Sequence, residues 1–198
     1  MNLALKLLAA TAFSGFAVAA DASTLWDESL DGDLSNDGFS PTQLVAALGS
    51  NVVLGIAGTP VGSDIDRDYF RFTVPDGARL SSIMLLGNTA VAGGVSFIGI
   101  QPGPQLTVSP TGAGASSLIA FGHYGNAEIG TNLLPSLLVT PNPTSSLPSG
   151  IYSIWVQDTG GAAPYGFDFQ IAPVPLPGAA LLLLSGLFGL ASLRRNKI

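Results

Sequence analysis

The chain has no cysteine among its 198 residues, so no disulfide staples it and zinc–thiolate chemistry is excluded. It has one histidine, His123, and a lone histidine in Phe121-Gly122-His123-Tyr124-Gly125 reads as a loop or core residue before it reads as a catalyst. Lysine is missing between Ser23 and Pro173, where three arginines (Arg67, Arg71, Arg79) face twelve acidic residues and leave a formal charge of −9. Phosphate contacts need clustered Lys and Arg, so nucleic acid is excluded as a partner. Neither G-x-S-x-G nor H-E-x-x-H occurs, and Glu128 and Asp158 stand apart from any second carboxylate that would frame a glycosidase cleft. A Ser–His–Asp triad is defined in space rather than by chain order, but nothing in the sequence points to one, and the chain reads as a non-enzyme. Heptads and sustained 3.6-residue periodicity are also missing outside two apolar segments at the ends.

The C-terminal segment, Val174 to Ile198, has three parts. Val174-Pro175-Leu176-Pro177 comes first, a run from Gly178 to Leu193 without charge follows, and Arg194, Arg195 and Lys197 close it. Sixteen helical residues span about 24 Å against a hydrocarbon core of about 30 Å, and adding Val174–Pro177 brings the stretch to about the twenty residues a membrane helix needs. The prolines remove backbone donors, which places the helix start just after Pro177. The basic tail follows the positive-inside rule, leaving the end in the cytoplasm and everything upstream outside. Motif, apolar run and arginine cluster together resemble the PEP-CTERM class of sorting signals, in the variant that begins VPLPA. Leu176 stands where the commoner motif has glutamate, and Gly178 where VPLPA has alanine. The resemblance implies recognition by an exosortase, a membrane protease-transpeptidase that removes the helix during export. An ordinary C-terminal anchor without processing is the alternative.

At the other end, one positive charge precedes an apolar run from Leu7 to Val18 that is too short to span a bilayer. Small residues follow, so residues 1–22 read as a secretory signal peptide cut after Ala19, Ala20 or Ala22 by signal peptidase, after passage through the Sec translocon. What remains, residues 23–173, is enough for one domain with a real core.

An acidic leader, residues 27–38, opens that domain and reads as irregular. Strands are expected at Asn51 to Ile56, at Tyr69 to Val74, at Leu80 to Leu86, around Val95 to Ile100, at Leu118 to Phe121, at Ile151 to Gln157 and at Phe167 to Ile171, with Gln105 to Val108 a further short one. Alternation puts Phe70, Phe72 and Val74 on one face and Tyr69, Arg71 and Thr73 on the other. Pro75-Asp76-Gly77 makes a turn and Leu80–Leu86 returns as the partner strand. Leu133 to Thr140 reads equally as strand or helical turn. Short strands between Gly/Pro turns predict an all-β domain, an antiparallel β-sandwich of jelly-roll-like form.

Asp31, Asp33 and Asp37, and Asp64, Asp66 and Asp68, form two acidic runs whose spacing suits hard-oxygen ligation of Ca²⁺ by flexible loops. Neither is an EF-hand, because Asn36 and Tyr69 stand where that loop requires glycine. The alternative is a pair of solvated loops. The leader, the run from Asp66 to Gly77, and Gly150-Ile151-Tyr152 with Tyr165-Gly166-Phe167 resemble the bacterial pre-peptidase C-terminal domains, small β-sandwich accessory modules of secreted proteins. That resemblance covers about half of residues 23–173 and implies Ca²⁺ held between the leader and the loop before the Tyr-Phe strand. Trp26, Tyr124, Tyr152, Trp155 and Tyr165 are the aromatic residues available to stack on sugars. The reading that follows is an exported protein of the cell surface or extracellular matrix, membrane-anchored through 178–193 before processing, with a structural or adhesive role linked to exopolysaccharide. A Ca²⁺-dependent module that binds carbohydrate or protein is the rival, and edge strands leave self-association open.

Overall fold

The strand from Arg67 to Val74 sets the architecture, because its alternation gives it two different faces. Phe70, Phe72 and Val74 are fully buried on one face, while Arg71 and Thr73 are turned to the other. A computed structural model describes residues 22–59, 64–91, 96–110, 115–158 and 160–175. In chain order its elements are β1 (Ser23–Asp27), a helical turn α1 (Glu28–Asp31), β2 (Thr42–Gln43), β3 (Asn51–Ala57), β4 (Arg67–Val74), β5 (Ala78–Leu85), β6 (Ser96–Pro102), β7 (Ala120–Tyr124), a second turn α2 (Leu134–Leu137), β8 (Gly150–Asp158) and β9 (Ala163–Pro173).

These strands form two sheets, β1-β3-β9-β5 and β2-β4-β8-β6-β7, packed as a β-sandwich. The pairings are antiparallel except β1 on β3 and β2 on β4, which are parallel edges. Aromatic rings interlock between the layers: Phe169 of β9 meets Phe72 at 5.2 Å and Phe70 at 5.8 Å, and Phe167 meets Tyr124 edge-on at 5.2 Å. A second apolar cluster of Tyr69, Leu106, Leu118 and Trp155, with Phe97 against it, covers the outer face of the five-stranded sheet. That cover explains why β8 is buried on both faces.

Several expectations change in detail. β4 and β5 are not a hairpin: β4 pairs with β8 in one sheet and β5 with β9 in the other, so Pro75–Gly77 is an arch between the layers. The arch closes with Ala78 N–H on the Pro75 carbonyl at 3.1 Å, with Gly77 at φ 74°, a conformation glycine adopts without strain. The same holds for β8 and β9. Both strands of each pair carry a core face, and an arch sets those faces opposite one another. The leader is partly ordered as β1 and α1, Gln105 to Val108 is not a strand, and Leu133 to Thr140 holds the turn α2. Residues 1–21 of the signal peptide and the segment from Leu176 onward, with the apolar run 178–193, lie outside the described residues. Among the described residues no helix is long and apolar enough to cross a membrane.

The sandwich has two distinct ends. At the leader end lie Arg67, Asp158, Ala57 and Ala163. At the tail end lie Val74, Gly150, Ala78 and Pro173. The segment 44–49 joins the layers toward the tail end, with Leu44 N–H on the Arg71 carbonyl and Gly49 paired to Ile171. Asn51 pins it. Its buried Nδ2 donates to the carbonyls of Ala47, Gly49 and Phe169 at 2.8 to 3.0 Å, and its Oδ1 accepts from Ala47 N–H. Asn51→Ala leaves those buried groups unpaired and should cost about 2–3 kcal/mol, which for a domain of this size lowers the melting temperature by on the order of 5–10 °C. Asn51→Asp keeps the acceptor but loses every Nδ2 donor, so thermal unfolding should find it at least as damaging.

Candidate metal centre

Asp68 shares the parity of Phe70, Phe72 and Val74, so β4 turns its carboxylate into the sandwich, where the residue has no solvent exposure. Neither of its oxygens has a hydrogen-bond partner. The Tyr165 hydroxyl approaches it from β9 in the opposite sheet and favours its ionised form, but stops short of hydrogen-bond geometry with either oxygen, so that hydroxyl too is buried without a partner. Tyr165 lies across Gly55 of β3, where any side chain would collide with the phenol ring.

The leader brings two more carboxylates to this point. β1 lies parallel on β3 and ends at Asp27, whose Oδ1 accepts from Ser29 N–H at 3.0 Å and caps α1. Gly32, at φ 89°, then reverses the chain, and Leu34 is buried as its anchor. Between these points Glu28 reaches inward: Oε1 accepts from Leu34 N–H at 3.1 Å and Oε2 from Ile56 N–H at 2.6 Å. Glu28, Asp33 and Asp68 each present a carboxylate oxygen, all within 4.8 Å of one another. Asp66 sits just beyond, its Oδ1 buried and unpartnered, held near Asn36, whose Oδ1 accepts from Arg67 N–H at 2.8 Å.

Burial and mutual repulsion dominate the electrostatics. Burial first, then the Glu28 charge, pushes the Asp68 carboxyl up to about 9, so without a cation it is neutral at pH 7. Burial also raises Glu28, against the pull of its two backbone donors, and raises Asp66, with Asp33 adding to both. The charged side chains that act most on these three groups are themselves acidic: Glu28, Asp33 and Asp66. Carboxylates on a loop, a turn and a strand, with the unpartnered oxygens of buried Asp68 facing backbone-bonded Glu28 and exposed Asp33, form a donor set for a hard divalent cation such as Ca²⁺, whose own charge reverses the local preference for protonation.

Of the six aspartates read from the sequence, the fold brings Asp33 and Asp68 together and sets Asp66 beside them. Asp31 is exposed and accepts from Asp27 N–H at 2.9 Å, Asp37 is exposed and accepts from Phe39 N–H at 2.9 Å, and Asp64 is exposed outside the group. Glu28 was missed because it has no place in the alternate spacing; its only sequence signal is a carboxylate following the capping residue Asp27. The aromatic residues offered as sugar platforms are mostly withdrawn: Tyr124, Tyr152, Trp155 and Tyr165 are buried, and Trp26 is half-buried with Nε1 on the Gly32 carbonyl at 2.9 Å. His123 is exposed, with Nδ1 at 3.0 Å from the Ser96 carbonyl, while the Ser96 hydroxyl donates to Asp158 at 2.8 Å. The imidazole therefore does not address that hydroxyl.

The sign of the pH dependence follows from Asp68. Its folded carboxyl titrates near 9 and its unfolded one near 3.8, so between these values the native state keeps a proton that the unfolded chain has lost. In the cation-free domain the contribution of Asp68 to stability should be fully present below about pH 4 and be lost as pH rises toward 9. Asp68→Asn should flatten that slope in thermal unfolding between pH 5 and 8. A slope that persists unchanged in the variant would take Asp68 out of the account.

Comparison with protein-family models, with curated proteins and with solved structures returns no match for this chain. The site therefore rests on its own geometry.

Proposed function

We propose that this chain is an exported, non-enzymatic β-sandwich of the cell surface or extracellular matrix, structural or adhesive in role, whose leader is locked to the sandwich by a bound Ca²⁺. The observation that carries the cation is Asp68: a carboxylate without solvent exposure, without a hydrogen-bond partner, facing Glu28 and Asp33 within 4.8 Å. Burying such a group alone is costly unless a proton or a cation accompanies it. In an exported protein without cysteine, an ion joining α1, the loop after it and β4 supplies the cross-link that a disulfide supplies elsewhere.

Export rests on the sequence of both ends: the signal peptide, and the motif Val174-Pro175-Leu176-Pro177-Gly178 with its apolar run and the basic residues Arg194, Arg195 and Lys197. On this reading an exosortase-type enzyme severs the chain at the motif and releases the sandwich from the membrane. Val174 is exposed at the end of β9, its N–H on the Gly77 carbonyl at 2.7 Å, which keeps this residue at the rim of the fold.

A second reading, an accessory module that binds carbohydrate or protein, has one observation in its favour. Phe39 is 63% exposed at the mouth of a cavity of about 280 Å³ also lined by Asn36, Asp37, Arg67 and Tyr69. An exposed aromatic ring beside polar side chains suits a sugar face, and saturable binding on a glycan array that is lost in Phe39→Ala would favour this reading.

Two measurements test the main reading. A ligand bound only by the native state adds RT ln(1 + [L]/Kd), about 2.7 kcal/mol at a hundredfold excess over Kd, so Ca²⁺ after EDTA should raise the melting temperature by roughly 5–10 °C. Glu28→Gln and Asp68→Asn should each abolish that rise, and no rise in the unaltered chain rejects the ion. In exosortase-bearing cells, intact-mass analysis should find the surface form ending at the motif, and Pro175→Ala with Pro177→Ala should retain the longer chain.

A further inference from the structure

The alternation that sends Asp68 and Phe70 into the sandwich sends Arg67 and Tyr69 to the outer face of β4, and both line the cavity of about 280 Å³ beside Phe39. Tyr69 is 4% exposed, yet its hydroxyl makes no hydrogen bond among the described residues. Its ring is fixed by Trp155 of β8, which stacks on it at 6.1 Å and 28°. Burial raises this phenol above its ordinary value, so at neutral pH it is a donor. Arg67 is fixed too. Its Nε donates to Gln157 Oε1 at 2.7 Å and its Nη1 to the Ile65 carbonyl at 3.5 Å, which leaves Nη2 without a partner among the described residues.

The turn 37–40 walls the cavity and is held as firmly. Ser40 N–H closes on the Asp37 carbonyl at 3.0 Å, Phe39 N–H donates to Asp37 Oδ1 at 2.9 Å, and the Phe39 carbonyl accepts from Gln105 Nε2 at 2.6 Å. Leu106 N–H donates to the Gly38 carbonyl at 2.8 Å, and a Cβ at Gly38 would stand 3.0 Å from the Leu106 carbonyl oxygen and 3.4 Å from the Tyr69 ring. The backbone is thus pinned on both sides of a ring that stays 63% exposed. A side chain presented on a fixed backbone loses little freedom on binding. Asp37 Oδ2 has no partner among the described residues.

The cavity therefore offers one apolar ring, two fixed donors and one acceptor. Arg67 and Asp37 balance in charge, and the domain around them is acidic, still so with one divalent cation bound, which disfavours a polyanion. A neutral molecule that donates to a carboxylate, accepts from a phenol and a guanidinium, and lays a C–H face on an aromatic ring is a polyhydroxylated ring. The volume lies just below the roughly 300–1,000 Å³ of small-molecule pockets. It admits a sugar ring or two.

We propose that the cavity beside Phe39 binds an uncharged pyranose unit of a polysaccharide: Phe39 stacks on the ring, Tyr69 and Arg67 donate to its hydroxyl oxygens, and Asp37 accepts from a hydroxyl. This rests on the second reading above and narrows it from carbohydrate or protein to a neutral sugar. It also gives the nearly buried Tyr69 hydroxyl, which the core leaves unpaired, an acceptor. One such cavity holds its sugar weakly, and many chains on one surface hold a polymer of such units through avidity.

The test is calorimetric titration of the full chain, kept in a detergent without sugar headgroups, with gluco-, manno- and galacto-oligosaccharides and with an oligogalacturonate. Tyr69→Phe keeps the ring against Trp155 and removes only the hydroxyl, and Phe39→Ala alters an exposed side chain, so both variants should keep the parent melting temperature. The expected result is saturable binding of at least one uncharged probe, abolished by Phe39→Ala and weakened about five- to tenfold by Tyr69→Phe, with no binding of the oligogalacturonate. Binding of the oligogalacturonate alone, lost in Phe39→Ala, overturns the neutral sugar and leaves the carbohydrate reading standing. Binding of an uncharged probe that neither variant changes overturns this cavity as the site. No binding of any probe overturns the proposal and the carbohydrate reading together.

Discussion

A carboxylate in an apolar interior is the constraint on which the leader end of this protein depends. Asp68 stands in line with Phe70 and Phe72, so the strand that builds the core also carries an ionisable group into it. The desolvation cost of such a group amounts to several kcal/mol in a protein interior, and the structure offers three routes to relieve it: a proton, a cation, or withdrawal of the strand. Around this group the chain has collected further acids rather than a base. Glu28 ties the leader to β3 through Ile56 and to the anchor Leu34 through its backbone, so the conformation of residues 27–34 and the state of the carboxylate group are one problem.

Much of the fold was legible because its signals are local. The alternation of Tyr69 to Val74 fixed the strand, its faces and its boundary at Pro75. Pairing was not legible, since Pro75-Asp76-Gly77 serves a hairpin and an inter-sheet arch equally well. The choice between them is made by long-range contacts such as Phe72 on Phe169. The outer aromatic cluster misled for the same reason. Trp155 looks like a surface platform until Leu106, Val108 and Leu118 fold over it.

The site was half legible. Alternate aspartates pointed to Asp33, Asp66 and Asp68, but spacing alone gave Asp31, Asp37 and Asp64 equal standing. In space two of these serve as caps and turn formers and the third is solvated. The parity of Asp68 with Phe70 was the stronger signal, because an acid on a core-facing position demands a reason. Glu28 acquires its place only through the parallel pairing of β1 with β3, a long-range feature that composition does not encode.

The position of β9 has a mechanical consequence. Its eleven residues lie between β3 and β5, laddered to β3 over Ala163–Asp168 and to β5 over Phe167–Pro173, and they lead directly to Val174. A pull applied at Val174 runs along the strand axis and loads both ladders in shear, with many hydrogen bonds sharing the force. An edge strand in that position would open one bond at a time. The C-terminal end of β9 is therefore the point at which this sandwich resists traction best.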